Sequence, residues 1–154
     1  MNPLQPLLAL MAQTERERDE ALARAQQATQ AQQAADTQTE QLLAYRREYE
    51  QRWSTQFRSE GAIELVHCYR GFMDRLTQAV EQQQRIAQHA ALQVERTRGA
   101  LAEQELRVAS VRKLVDRRRR EMNLGAERAE QKQTDEFASR MAWGRATLGF
   151  DRAA

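Results

Sequence analysis

Residues 57–66 read FRSEGAIELV, and the sevenfold pattern of the chain changes phase across them. Counting in sevens from Leu7 gives the row Leu7, Thr14, Ala21, Ala28, Ala35, Leu42 and Tyr49, with a companion row Met11, Arg18, Ala25, Gln32, Thr39, Arg46 and Trp53. Nine of these fourteen positions are apolar and four of the nine are alanine, which describes a shallow coiled-coil seam. A second count from Val66 gives Val66, Met73, Val80, Ala87, Val94, Leu101, Val108, Val115 and Met122, every one apolar. Its companions are Tyr69, Leu76, Gln83, Ala90, Thr97, Gln104, Val111 and Arg118. The two registers do not join, because stepping on from Tyr49 arrives at Ile63 and Arg70. Ser59-Glu60-Gly61 lies in the gap, and Gly61 can take the left-handed conformation that ends a helix cheaply. The spacing predicts helix one over about 4–57, a turn over about 58–61 and helix two over about 62–143.

Folding back antiparallel lets the alanine row of helix one admit the larger Val, Leu and Met side chains of helix two, so that small faces large. The expected fold is all-α, a single two-helix antiparallel coiled coil spanning 1–154 with unequal arms. At 1.5 Å per residue, helix one is roughly 80 Å long and helix two roughly 120 Å. If residue i meets roughly residue 119 minus i, Leu4 lies opposite Val115 and everything after Arg117 lacks a partner helix. The sevenfold pattern fails at Asn123-Leu124-Gly125, an expected weak point. Residues 145–154 carry no helical stripe and are expected to fray.

Composition supports a thin helical protein. Of the 154 residues, 30% are charged and only 6% aromatic, leaving little bulk for a layered interior. Pro3 and Pro6 are the only prolines, so nothing later punctuates the chain as strands and turns require. The net charge of +2 does not by itself attract nucleic acid. One cysteine, Cys68, excludes an internal disulfide and suits a reducing compartment. The run LLALM is short and is followed by TERERDE, so neither a signal peptide nor membrane insertion is expected, and the default is a cytosolic protein.

No chemistry-bearing constellation emerges. His67 and Cys68 point about 100° apart on a helix and His89 is far along it, which makes no metal-ligand set. Asp135-Glu136 is a carboxylate pair, but a two-helix protein offers no desolvated cleft to separate their pKa values. No nucleophile has a base beside it and no phosphate loop is present, so no cofactor and no enzymatic activity are expected.

Two groups suggest binding instead. Arg107, Arg112, Lys113 and Arg117, Arg118, Arg119 and Arg120 face only Asp116 within 107–120. Such a run is either a solvated helix face or a dock for an acidic partner; nucleic acid is disfavoured because no aromatic is interleaved and Glu121, Glu127 and Glu130 follow. The second group is aromatic. Tyr49 and Trp53 fall on the seam near the turn with Tyr69 opposite, but Tyr45 and Phe72 lie off it. Phe72, Leu76, Ala79 and Gln83 follow i, i+4, i+7, i+11 spacing, a stripe suited to receiving another protein segment and expected to contribute little to the helix pair.

The pattern Leu42-x-x-Tyr45-x-x-Glu48-Tyr49, then Tyr69-x-x-Phe72-x-x-x-Leu76-x-x-Ala79, then Gln131-Lys132-x-x-Asp135-Glu136-Phe137-Ala138-x-Arg140 resembles the FliJ family of the bacterial flagellar type III export apparatus. The resemblance runs nearly the whole chain in the right order, and the QKxxDEFAxR run is its most specific piece. It implies a cytosolic two-helix antiparallel coiled coil similar to the stalk subunit of rotary ATPases. It also implies partners: the hexameric export ATPase FliI, the export-gate membrane protein FlhA, the ATPase regulator FliH and substrate chaperones. By that analogy Phe72, Leu76 and Ala79 would contact FlhA, with Gln83 standing where some members carry a histidine, and Tyr45 and Tyr49 beside them. The helix ends, including Arg117 to Arg120 and the run Gln131, Lys132, Asp135, Glu136 and Phe137, would meet the ATPase. The location would be cytoplasmic, at the periphery of the inner membrane through the apparatus, with the free protein a monomer.

The alternative is a generic scaffold that homodimerises as a parallel coiled coil. The register break at Gly61 and the weak seam of helix one speak against it, since that seam would pair poorly with its own copy.

Overall fold

The computed structural model describes residues 3–57 and 62–151. Helix α1 runs Gln5–Arg52, a single π-helical turn occupies Trp53–Phe57, and helix α2 runs Ile63–Asp151. The two helices pack against each other antiparallel, the second being the longer; the all-α hairpin expected from the sequence is the fold. The expected turn at 58–61 lies outside the described residues.

Local chemistry explains where the helices begin and end. Pro6 sits in the first turn of α1, where its missing N–H has no intrahelical acceptor in any case, and Leu8 N–H donates to Leu4 O at 3.0 Å. Glu64 lies in the first turn of α2 and Arg52 in the last turn of α1, each with the sign that the helix dipole favours. Ser54 and Thr55 hydroxyls both donate to Gln51 O, at 3.0 and 2.9 Å. Such back-bonding bends helices, and here it accompanies the π turn.

Two compact units make up the chain, residues 15–106 and residues 1–14 with 107–154. In the first, Trp53 meets Tyr69, Tyr49 and Tyr45 meet Phe72, and Gln83 reaches Ala35 and Gln38, so partners climb on α2 as they fall on α1. Ala21, Ala25 and Ala35 of α1 are buried, as are Leu76, Val80, Ala90 and Val94 of α2. Small against larger side chains is the arrangement the two rows predict.

In the other unit, Leu4, Thr14, Val108, Val111 and Val115 are buried. The Thr14 hydroxyl donates to Met11 O at 2.9 Å, which removes the cost of a polar group in the seam. Leu4 and Val115, expected to face each other, are both buried here. The sevenfold row stays buried or half-buried from Val66 to Val115, and Met122, the next member, is exposed. Beyond Val115 no described residue is buried.

Two sequence expectations differ from the structure. The helix passes through Asn123-Leu124-Gly125 without interruption, and it continues past residue 143 to Asp151 instead of fraying from 145. A lost stripe removes burial, not helicity; Met141, Ala142, Arg145 and Ala146 are strong helix formers and no proline intervenes. Residues 152–154 lie outside the described residues.

Candidate protein-docking surfaces

The last turns of α1 place Tyr45, Tyr49 and Trp53 four residues apart on one face, and the first turns of α2 bring Tyr69 and Phe72 against them. Trp53 stacks on Tyr69 with ring centroids 4.1 Å apart and planes 10° from parallel. Tyr49 lies 4.3 Å from Phe72 and 6.0 Å from Tyr69. Tyr45 contacts both Tyr49, at 6.3 Å, and Phe72, edge-on at 6.4 Å. Aromatic pairs at these separations contribute roughly 0.5–1.5 kcal/mol beyond the area they bury. Four of the five rings are half-buried, while Tyr45 is 47% exposed.

Tyr49, Trp53, Leu65, Cys68 and Tyr69 border a hollow of about 100 Å³. Burial raises the pKa of the Tyr69 hydroxyl, the negative charge of Glu50 and the neighbouring Tyr49 push the same way, and Arg46 opposes them. The phenol therefore stays a neutral hydrogen-bond donor.

The stripe Phe72, Leu76, Ala79 and Gln83 does not present one open face. Leu76 is 7% exposed, buried between the helices, and Gln83 donates to α1. Phe72 is half-buried among tyrosines and Ala79 is half-buried. The expectation that this stripe contributes little to the helix pair is thus corrected for Leu76. That residue belongs to a seam row and to the stripe at once, and the seam takes it. Leu76→Ala is expected to cost about 2–3 kcal/mol, near the low end for a buried leucine because one side of a two-helix seam can collapse. Urea melts followed by circular dichroism measure it, and a change below about 0.5 kcal/mol would place Leu76 outside the core.

The second group lies on α2 after Val115, the last of its described buried residues. Arg117, Arg118, Arg119 and Arg120 are all exposed. At about 100° per residue, four successive arginines surround the helix as a girdle. Arg117 and Arg118 both reach Glu121, at 3.3 and 3.4 Å, and Arg120 donates to Asp116 O at 3.4 Å. These exposed contacts are weak, and the guanidinium groups remain open to an acidic partner.

Gln131, Lys132, Asp135 and Glu136 line one open helix face together with Arg128, Ser139 and Arg140, and Phe137 is exposed beside it. Sequence reasoning missed the next residues. Met141, Trp143, Leu148 and Phe150 are exposed too, Phe150 at 86%. Phe137, Met141 and Leu148 share one side of the helix, while Trp143 and Phe150, seven residues apart, share another. Large side chains at helical spacing were the available signal, hidden by the absence of a single stripe.

Among the described residues no three His, Cys, Asp or Glu side chains converge as a metal site, and no helix is long and apolar enough to cross a membrane.

Fold and surfaces together define a helical-hairpin coiled coil with an aromatic cluster in one unit and an uncovered, charged helical segment in the other. The family model described as "Flagellar FliJ protein" matches residues 1–147. The chain belongs to the FliJ family and is a component of the flagellar protein export apparatus. Comparison with curated proteins and with solved structures gives no significant match.

Proposed function

We propose that this chain bridges the hexameric export ATPase FliI and the export-gate membrane protein FlhA and assists delivery of chaperone-bound substrates. It would act in the cytoplasm, at the periphery of the inner membrane, with FliH and substrate chaperones as further contacts. The observation that carries the proposal is the presence of two chemically different surfaces, one in each compact unit: the Tyr45-edged aromatic cluster and the bare helix from Asp116 to Phe150. Turnover belongs to the ATPase. This chain has a positional role, favouring the assembled ring by binding that state better than the dispersed subunits.

On the gate side, Tyr45, Phe72 and Ala79 offer the accessible contacts, with Tyr49 behind them. Leu76 and Gln83 act from within the helix pair. Tyr45→Ala is expected to weaken binding of the soluble part of the gate protein about tenfold or more, the loss typical of an exposed aromatic anchor. Its melting temperature should stay within a degree or two of the parent, because the ring is only half covered. Calorimetric titration together with a thermal melt reads both quantities. Unchanged affinity in a folded variant would remove the aromatic cluster as the gate contact.

A further inference from the structure

The alanine-rich part of the helix pair has little in its apolar contacts to fix how α1 and α2 align. Within residues 15–106 the buried side chains of α1 are Ala21, Ala25 and Ala35, each a single methyl. Alanine also occupies positions 28, 31 and 34, so a slip of four residues exchanges part of the seam methyl for methyl. Ala25 replaces Ala21 in one direction, and Ala21 replaces Ala25 with Ala31 for Ala35 in the other, the remaining places going to Thr29 and Thr39 or to Glu17. The aromatic rings that align the helices near the turn stop at Tyr45. A stutter of four residues beyond that point would carry the remainder about one helical turn, roughly 5 Å, out of line.

One polar contact across the helix pair belongs to a single alignment. The Gln83 amide nitrogen donates to Ala35 O at 3.3 Å and to Gln38 Oε1 at 3.1 Å. Thr39 Oγ1 donates to the same Ala35 carbonyl at 2.8 Å. Slips of four residues would place Ala34 or Leu42 where Gln38 stands, and slips of seven would place Ala31 or Tyr45 there. None of these carries an amide acceptor. In every such alignment the half-buried Gln83 amide loses its side-chain partner, a penalty of the kind that lets one polar seam residue specify register in coiled coils.

We infer that Gln83, with Gln38 as its acceptor, is the register pin of the alanine seam, a role distinct from any contact with a partner protein. It follows from the helix pair alone and does not depend on the proposed function. The pin trades stability for a single alignment. Replacing Gln83 by leucine makes the seam more apolar and less specific.

The test uses the full chain with Cys68→Ser and nitroxide labels at Gln30→Cys and Gln88→Cys, both exposed positions on facing helices, read by pulsed electron resonance. The parent should give one narrow distance. Gln83→Leu should broaden it or add a second population displaced by about 5–10 Å, one or two helical turns, with a melting temperature equal to or above the parent's. Gln38→Ala, an exposed change that leaves the core intact, should broaden the distribution in the same direction. Gln38→Glu, which keeps an acceptor oxygen, should restore the single distance. A single parental distance in both Gln83→Leu and Gln38→Ala overturns the inference, as does broadening by Gln38→Ala that Gln38→Glu fails to rescue.

Discussion

Val115→Asp is expected to unpair the helices in the unit formed by residues 1–14 and 107–154, at a cost of about 3–5 kcal/mol, the range for a buried charge left without a compensating partner. Val115 is 1% exposed, the most completely buried large side chain described, and Leu4, Val108 and Val111 are buried in the same unit. A carboxylate there must either shed its hydration or separate the helices, and the second route is open because Val115 is the last buried residue described on α2. Arg118 and Arg119, one turn on, can offset part of the penalty by reaching back, which sets the expected cost toward the lower end of that range. The control is Met122→Asp, seven residues later in the same row and exposed. It should cost only the lower helix propensity of aspartate, roughly 0.5–0.7 kcal/mol. Thermal and urea melts followed by circular dichroism separate the two. Equal effects at 115 and 122 would mean that the row has no buried end at Val115.

That contrast also shows what the sequence could disclose. The row from Val66 to Val115 is legible because period-seven apolar spacing reports burial directly, and the phase change between Tyr49 and Val66 reports that one helix cannot carry both registers. The end of the helix is not legible in the same way. Residues 145–151 have no partner to impose a stripe, yet their propensities and the lack of proline suffice for helix.

The binding surfaces are harder to read because single residues satisfy two patterns. Leu76 and Gln83 lie both on a seam row and on the i, i+4, i+7, i+11 stripe, and spacing alone cannot say which contact wins. The structure gives both to α1. Tyr45 was identifiable as lying off both rows, and it is the exposed member of the cluster. Trp143 and Phe150 are not legible because a helix with apolar side chains on two sides has no single face for a periodicity count to find.

Deleting residues 126–154 is expected to leave the helix pair folded while abolishing stimulation of the export ATPase. Every buried residue described lies at or before Val115, so the deletion removes no core contact, and the melting temperature should move by no more than a degree or two. What it removes is surface: the charged face at Gln131, Lys132, Asp135 and Glu136, and the exposed Phe137, Met141, Trp143, Leu148 and Phe150. Five large apolar side chains on two sides of one helix are costly to leave in water, and such a concentration of exposed apolar surface suits an interaction site. The arginine girdle at 117–120 survives the cut. Residual binding to the ATPase should therefore persist but become weak and steeply salt-dependent, as expected of exposed charges alone. ATP hydrolysis by the purified ATPase, with full-length or truncated chain added at low and high salt, reads these outcomes beside a melt of each protein. Undiminished stimulation by the truncated chain would move the ATPase contact to residues before 126, and a large drop in melting temperature would show that the bare segment is held by the rest of the fold after all.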